Sequence, residues 1–214
     1  MATDGDTPRA RQALDKGRME GFSDGVFGVA ATLLVVDIAV HPPGSPLHQL
    51  LAAWPSYLAY VVSFLTVGAA WLNHGALTAR LDRTDAIFPR LNLLLLMVIA
   101  FLPFPTRLIA DALLNPHRER VAVTLYGLTL LSISLLGFAL VAYAQREHLF
   151  KASGEGEELV RDRRQLVPVV IGYLTAILIG LAAPEVAVAL YCALAVYLVV
   201  PFRELRQLLF GRAQ

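Results

Sequence analysis

Residues 18–38 read RMEGFSDGVFGVAATLLVVDI, and how this stretch is read decides the fold of the chain. It starts charged, at Arg18 and Glu20, and passes into an apolar run of membrane length. Yet Asp24 lies inside that run and Asp37 lies near its far end. A carboxylate at membrane depth is costly, so it normally turns toward protein or a water-filled path and has a partner or a task there. The stretch is therefore a membrane helix whose polar groups need an explanation.

The rest of the chain supplies the setting. Of 214 residues, 57% are apolar and 16% charged, and the charges gather between long apolar runs. That pattern belongs to an all-α integral membrane protein, not to a soluble domain with a large core. The formal net charge of +1 favours neither nucleic acid nor an acidic substrate. Cys192 is the lone cysteine, which excludes an intrachain disulfide and a cysteine-based zinc cluster. The first apolar run has the basic flank of a signal peptide. Its long polar leader, Asp24 and the five later apolar runs predict a retained helix instead.

Six membrane helices are predicted from the apolar runs and their breakers. The first covers about 18–40 and stops at His41-Pro42-Pro43-Gly44. The second covers about 47–79, with Pro55 in its first turns. The third, about 86–112, contains Pro103-Phe104-Pro105, which should kink or end it there. The fourth covers about 120–146 and leads into a segment, 145–165, too charged for lipid. The fifth and sixth, about 166–183 and 185–202, form a tight hairpin around Pro184. Fifteen of the 18 Lys and Arg residues fall in the N-terminal tail, the second–third and fourth–fifth connections and the C-terminal end. Only Arg107, Arg118 and Arg120 lie on the opposite side, which predicts a multi-pass protein of the cell membrane with both termini cytoplasmic.

On a wheel of about 100° per residue, Phe22, Gly25, Leu33 and Val36 fall within about 40° of Val29, and Thr32 about 60° to one side. Asp24 lies about 140° from Val29, with Ser23 at its shoulder. One face is thus apolar apart from the Thr32 hydroxyl, and it fits ordinary helix packing, lipid contact or a more specific use. Ser23 and Asp24 fit either a helix N-cap or a polar contact with other helices. Gly21, Gly25 and Gly28 would let another helix approach closely. Trp71 and His74, three apart near the end of the second helix, share a face, and Asn92 lies at similar depth at the start of the third. A cluster in which His74 meets Asp24 and Asn92 completes the set is one expectation; an interfacial aromatic with a solvated histidine is the other. No H-E-x-x-H, G-x-S-x-G, phosphate loop or Cys/His ligand spacing supports an enzyme. The last three helices carry no acidic or basic residue in their apolar centres for a proton relay.

R-x-x-x-F-S-D-G-V-F at 18–27, continuing A-x-T-L-L-V-x-D-I, resembles the signature first helix of the endolysosomal potassium channel family and its bacterial homologues. Ser63-Phe64, the W-x-x-H of Trp71 and His74, N-L-L at 92–94 and P-F-P-T at 103–106 extend the likeness over the first three helices. The resemblance implies a potassium-permeable cation channel without a T-V-G-Y-G filter. Bacterial members carry one six-helix repeat and assemble as homotetramers in membrane lipid, so four copies of helix 1 would line a central pore. The chain would then divide into a cytoplasmic tail (1–17), a six-helix channel domain (18–206) and a second cytoplasmic tail (207–214). Val29 takes the place of the family's apolar constriction, usually isoleucine or leucine, with Val36 as a second barrier. Thr32 is the threonine implicated in selectivity, and a permeant potassium ion would pass beside it. Arg18, Phe22, Ser23 and Asp24, with Trp71, His74 and Asn92, correspond to the network that holds helix 1. Asp37 would attract cations at the outer mouth. No cofactor is implied beyond the permeant monovalent cation. A secondary cation or proton-coupled transporter is the competing reading.

Overall fold

The computed structural model describes residues 16–36, 38, 45–113, 119–151 and 155–200. The two predicted tails and Asp37 lie outside the described residues, apart from Lys16 and Gly17 at the start of the first helix. Helix α1 (Lys16–Val36) runs without a break through Ser23 and Asp24. Neither residue is an N-cap: both are interior, and the Ser23 hydroxyl donates to the Met19 carbonyl one turn earlier at 2.8 Å.

Proline divides two of the predicted helices. The second becomes α2 (Pro46–Ala52) and α3 (Trp54–Ala79). Ser45 caps α2 by accepting from the His48 amide at 3.3 Å, and Pro46 opens it. Pro55 has no amide hydrogen for the Leu51 carbonyl and crowds it, so the chain turns at Ala53 before restarting. The third becomes α4 (Phe88–Phe101) and α5 (Pro103–Ala112), jointed at Leu102. Pro103 cannot bond the Ile99 carbonyl, and the Leu102 amide takes that acceptor at 3.2 Å. The joint keeps α4 and α5 together as one membrane-length unit.

Helix α6 (Glu119–Arg146) is followed by His148, whose φ of 52° reverses the chain, while the Leu149 amide closes onto the Ala144 carbonyl at 2.9 Å. Helix α7 (Glu155–Gly180) begins about three turns before its expected start near residue 166. Charge keeps residues 155–166 out of lipid, but Glu, Leu and Arg are good helix formers, so exclusion from the membrane did not make the segment irregular. A short turn leads to α8 (Pro184–Val199), with the Ala183 amide on the Ile179 carbonyl at 2.7 Å.

Helix α1 packs on α3 and α4; α3 also meets α5 and α8, and α6 lies between α4 and α7. Among the described residues, four units are long and apolar enough to cross a membrane: Lys16–Val36, Trp54–Ala79, Phe88–Ala112 and Arg120–Arg146. The apolar parts of the last two helices, Val167–Gly180 and Pro184–Val199, are shorter. Deep in the bundle, Gly127 leaves room for Tyr191, whose hydroxyl would lie 2.0 Å from a Cβ there. That hydroxyl donates to the Val123 carbonyl at 3.2 Å.

Candidate functional site

The buried side of α1 follows a 4, 4, 3, 4 spacing: Met19, Ser23, Phe27, Ala30 and Leu34. On the wheel this stripe is centred on Ser23, about 120° from Val29, and Asp24 lies about 100° further round. The buried stripe is therefore centred on Ser23, and Asp24 lies at its edge, toward Trp71 of α3. Ser23 is fully buried, whereas Asp24 is exposed in the single chain.

Ser23, Asn92 and His74 form a directed chain across α1, α4 and α3. The Asn92 amide nitrogen donates to Ser23 Oγ at 2.8 Å, and Ser23 passes its own proton to Met19. Asn92 Oδ1 is then the acceptor toward His74 Nε2 at 2.9 Å, so that ring nitrogen carries the hydrogen. All three side chains are buried, and the His74 ring also packs on Phe27 at 5.5 Å between centroids. None of the three leaves a buried side-chain nitrogen or oxygen without a partner, which is the condition for keeping such groups inside a bundle.

Asp24 has a different partner from the one expected. Trp71 Nε1 donates to Asp24 Oδ1 at 2.9 Å, while His74 turns to Asn92. The three-residue offset explains this: Trp71 and His74 share a side of α3, but Trp71 stays near the surface, 47% exposed, and His74 is buried. An open cleft of about 410 Å³ borders Glu20, Asp24, Trp71 and His74, on the flank of α1 away from Val29. Arg18 and Phe22 do not join the cluster; both are exposed, and on the wheel they share the Val29 side.

That side is exposed in the single chain although it is apolar. Val29 is 58% and Val36 76% exposed, with Thr32 between them. Thr32 Oγ1 donates to the Val29 carbonyl at 2.9 Å. Its proton is thereby occupied and its lone pairs face outward, which suits the hydroxyl to accept from water or to meet a cation. Gly21, Gly25 and Gly28 have open space where a Cβ would stand, so nothing in the chain itself presses on them. Among the described residues, no group of three or more His, Cys, Asp and Glu side chains is arranged to hold a metal ion.

Some contacts were not foreseen. Lys16 Nζ donates to the Leu81 carbonyl at 3.0 Å, a bond no sequence pattern announced. A second directed chain runs from Tyr126 through Ser63 at 2.9 Å to Thr106 at 2.8 Å, and ends on the Leu102 carbonyl at the α4–α5 joint. Ser63 and Thr106 stand in the motifs quoted above, but only the fold shows what they hold. Asp85 accepts from the amides of Ile87 and Phe88 at 3.1 and 2.8 Å and from the Tyr143 hydroxyl. Burial alone would raise the Asp85 carboxyl, but these hydrogen bonds outweigh it and hold the group below its ordinary value.

Residues 18–103 match the family model described as endosomal/lysosomal potassium channel TMEM175. A potassium channel of Streptomyces collinus is 37% identical over 199 residues, covering 89% of this chain and 97% of the relative. The human endosomal/lysosomal proton channel TMEM175 is 38% identical over 103 residues, which are 43% of this chain and 20% of that protein. Among solved structures, the crystal structure of a lysosomal potassium-selective channel TMEM175 homolog from Chamaesiphon minutus matches with a TM-score of 0.75 and 34% identity. The match covers 86% of this chain and 95% of that one.

Proposed function

The chain belongs to the endosomal/lysosomal potassium channel TMEM175 family, and on that premise we propose that it is a potassium-permeable cation channel of the cell membrane. Its relatives are named as channels, and it is not an enzyme. In this reading six helical spans make one subunit, four subunits form a homotetramer, and α1 lines the central pore. Both termini are cytoplasmic. The shorter apolar helices α7 and α8 complete the six spans.

One observation carries the reading: the Val29–Thr32–Val36 side of α1 is apolar, exposed in the single chain and opposed to a buried side fixed on α3 and α4. A face of this kind needs a cover. Lipid would accept the valines but gives no reason for an outward hydroxyl between them. Around a four-fold axis, the same face makes a ring of valines, a ring of threonine oxygens and a second ring of valines. A narrow apolar ring resists wetting and so impedes ions, while hydroxyl oxygens replace part of a cation's hydration shell. Valine is smaller than isoleucine or leucine, so the Val29 ring is wider than the family's usual constriction and Val36 shares the barrier. Asp37 draws cations to the outer mouth. Asp24 and the Ser23–Asn92–His74 chain orient α1 and stay out of the ion path.

The test is purification in detergent with a mass measurement, then potassium flux from proteoliposomes and bilayer recording. Four-chain particles with unitary potassium currents support the channel. Saturable flux without unitary currents supports the transporter, and particles that move no cation leave a membrane scaffold.

A further inference from the structure

The cytoplasmic-side connections are knitted together more tightly than a pair of loops requires. Leu81 pairs with Phe150 in an antiparallel bridge. The Asp82 amide donates to the Leu149 carbonyl at 2.9 Å, and the Lys151 amide donates to the Arg80 carbonyl at 3.0 Å. Lys151 Nζ adds a bond to the Ala79 carbonyl at 2.9 Å. Asp85 then ties the following turn to Tyr143 on α6. The connection 80–87 and the helix ends that flank it, at Ala79 of α3 and Phe88 of α4, are thus fastened to the end of α6, just before the polar connection to α7.

Helix α1 is hooked onto this junction by one side chain. Lys16, in its first turn, reaches 65 positions along the chain to the carbonyl of Leu81, a residue that is 0% exposed. Lys16 also lies 3.8 Å from Glu20, a half-exposed pair one turn on. The Leu81 bond is charge-assisted, hence stronger than a neutral one.

We propose that Lys16 is a positioning residue for α1: through Leu81 it makes the 79–82/149–151 junction the anchor from which the pore-lining face is set. The inference rests on the pore reading of α1. Movement at the end of α6, or in the polar connection that starts there, then reaches the pore helix through the Lys16–Leu81 bond. The junction is where a cytoplasmic stimulus enters.

The full-length protein tests this with four variants, Lys16→Met, Lys16→Arg, Tyr143→Phe and Glu20→Gln, compared by hydrogen exchange and bilayer recording. Lys16→Met keeps the aliphatic stem and removes the donor. Amide exchange in both the first turn of α1 and residues 80–88 should rise about tenfold, the equivalent of one lost charge-assisted bond. Open probability should change about fivefold or more, the lower range of site-to-site coupling, with an unchanged bi-ionic reversal potential. Lys16→Arg should restore both readouts, and Glu20→Gln should move neither. Tyr143→Phe loosens the junction from the α6 side, so adding Lys16→Met to it should have less than the additive effect on open probability. If Lys16→Met does not fold, Tyr143→Phe alone must raise exchange in the first turn of α1. Unchanged exchange on either variant overturns the clamp, and changed exchange with unchanged open probability overturns the positioning role. Absence of current in the unmodified protein counts against the channel reading instead, and exchange still decides the clamp.

Discussion

The two halves of α1 are held by different chemistry. Its N-terminal half is bolted by directed polar bonds: Lys16 to Leu81, Ser23 to Asn92, Asp24 to Trp71. From Phe27 onward the buried stripe is Phe27, Ala30 and Leu34, apolar side chains with no hydrogen bond to another helix. Polar bonds specify angle and register, because a small rotation strands a donor. Apolar attraction is non-directional and sets the angle less strictly. The half that carries Val29, Thr32 and Val36 is therefore the half free to adjust, while the other half fixes where it starts. On the proposed channel reading, a helix that both holds a fixed assembly and varies a constriction needs that division.

The comparison breaks most visibly at Asn92. Asn92→Leu removes the central member and leaves the Ser23 hydroxyl and the His74 ring without their partner. Hydrogen bonds between membrane helices average only about 0.6 kcal/mol, with a maximum near 1.7, since the unfolded chain in lipid also finds partners. Two stranded groups put the expected loss at about 1–3 kcal/mol. Thermal inactivation in detergent, followed by size-exclusion, should show it as a lower midpoint and a lower yield of assembled particles. The surviving particles should keep the potassium-to-sodium permeability ratio; a changed ratio would mean that the polar half also selects ions.

Thr32→Val works from the other half and should have the opposite profile. The side chain is nearly isosteric and exposed, so stability should shift by less than about 0.5 kcal/mol. The outward oxygen is lost, and the bi-ionic reversal potential should move toward equal permeability for potassium and sodium. An unmoved potential removes Thr32 from the ion path. A large loss of stability would show that its bond to Val29 holds the helix, and the division would fail.

Much of this was legible in the sequence, for identifiable reasons. Apolar runs and prolines marked the helices, because lipid exposure and missing amide hydrogens act locally. The two sides of α1 followed from helical period alone. What the wheel could not give was the partner of each group. Asp24 drew attention by its charge, yet Ser23 occupies the buried centre, since a small hydroxyl that can bond its own helix is cheaper to bury than a carboxylate. Trp71 and His74 were correctly placed on one side of α3, but which of them met Asp24 depended on their depth from the surface. The start of α7 was misplaced because a segment too charged for lipid was read as a connection, although its residues favour helix. The Lys16–Leu81 bond left no trace in the sequence, since its acceptor is a backbone carbonyl that any residue could supply.

Trp71→Phe sharpens the polar half further by separating its buried bonds from its exposed one. A six-membered aromatic ring stays, while the donor to Asp24 and the pyrrole part of the indole are lost. Water can replace that donor at an exposed carboxylate, so the expected cost is below about 1 kcal/mol. In the same thermal assay the midpoint should fall much less than for Asn92→Leu. An equal fall would make the Asp24–Trp71 bond, not the buried chain, the principal fastening of α1.

The smallest effect concerns pH and the junction beneath the polar half. The Asp85 carboxyl is held below its ordinary value of 3.8 by Tyr143 and the Phe88 and Ile87 amides, against a partial cost of burial. A folded value below the unfolded one means that the ionised form binds the folded state preferentially. The contribution to stability is then fully present above the ordinary value and disappears as pH falls through the lower folded one. Little change is expected from Asp85 between pH 7 and about 5, and a slight decline in the thermal midpoint below about 4. Asp85→Asn should flatten that acid decline while lowering the midpoint at neutral pH, because the neutral amide accepts less strongly from the two backbone amides. Tyr143→Phe should flatten it only in part, since those amides remain. If Tyr143→Phe removes the whole acid dependence, the tie to α6 is what holds the carboxylate. If it removes none, Asp85 acts only at the start of α4, and the junction draws its rigidity from the backbone bonds between residues 80–82 and 149–151.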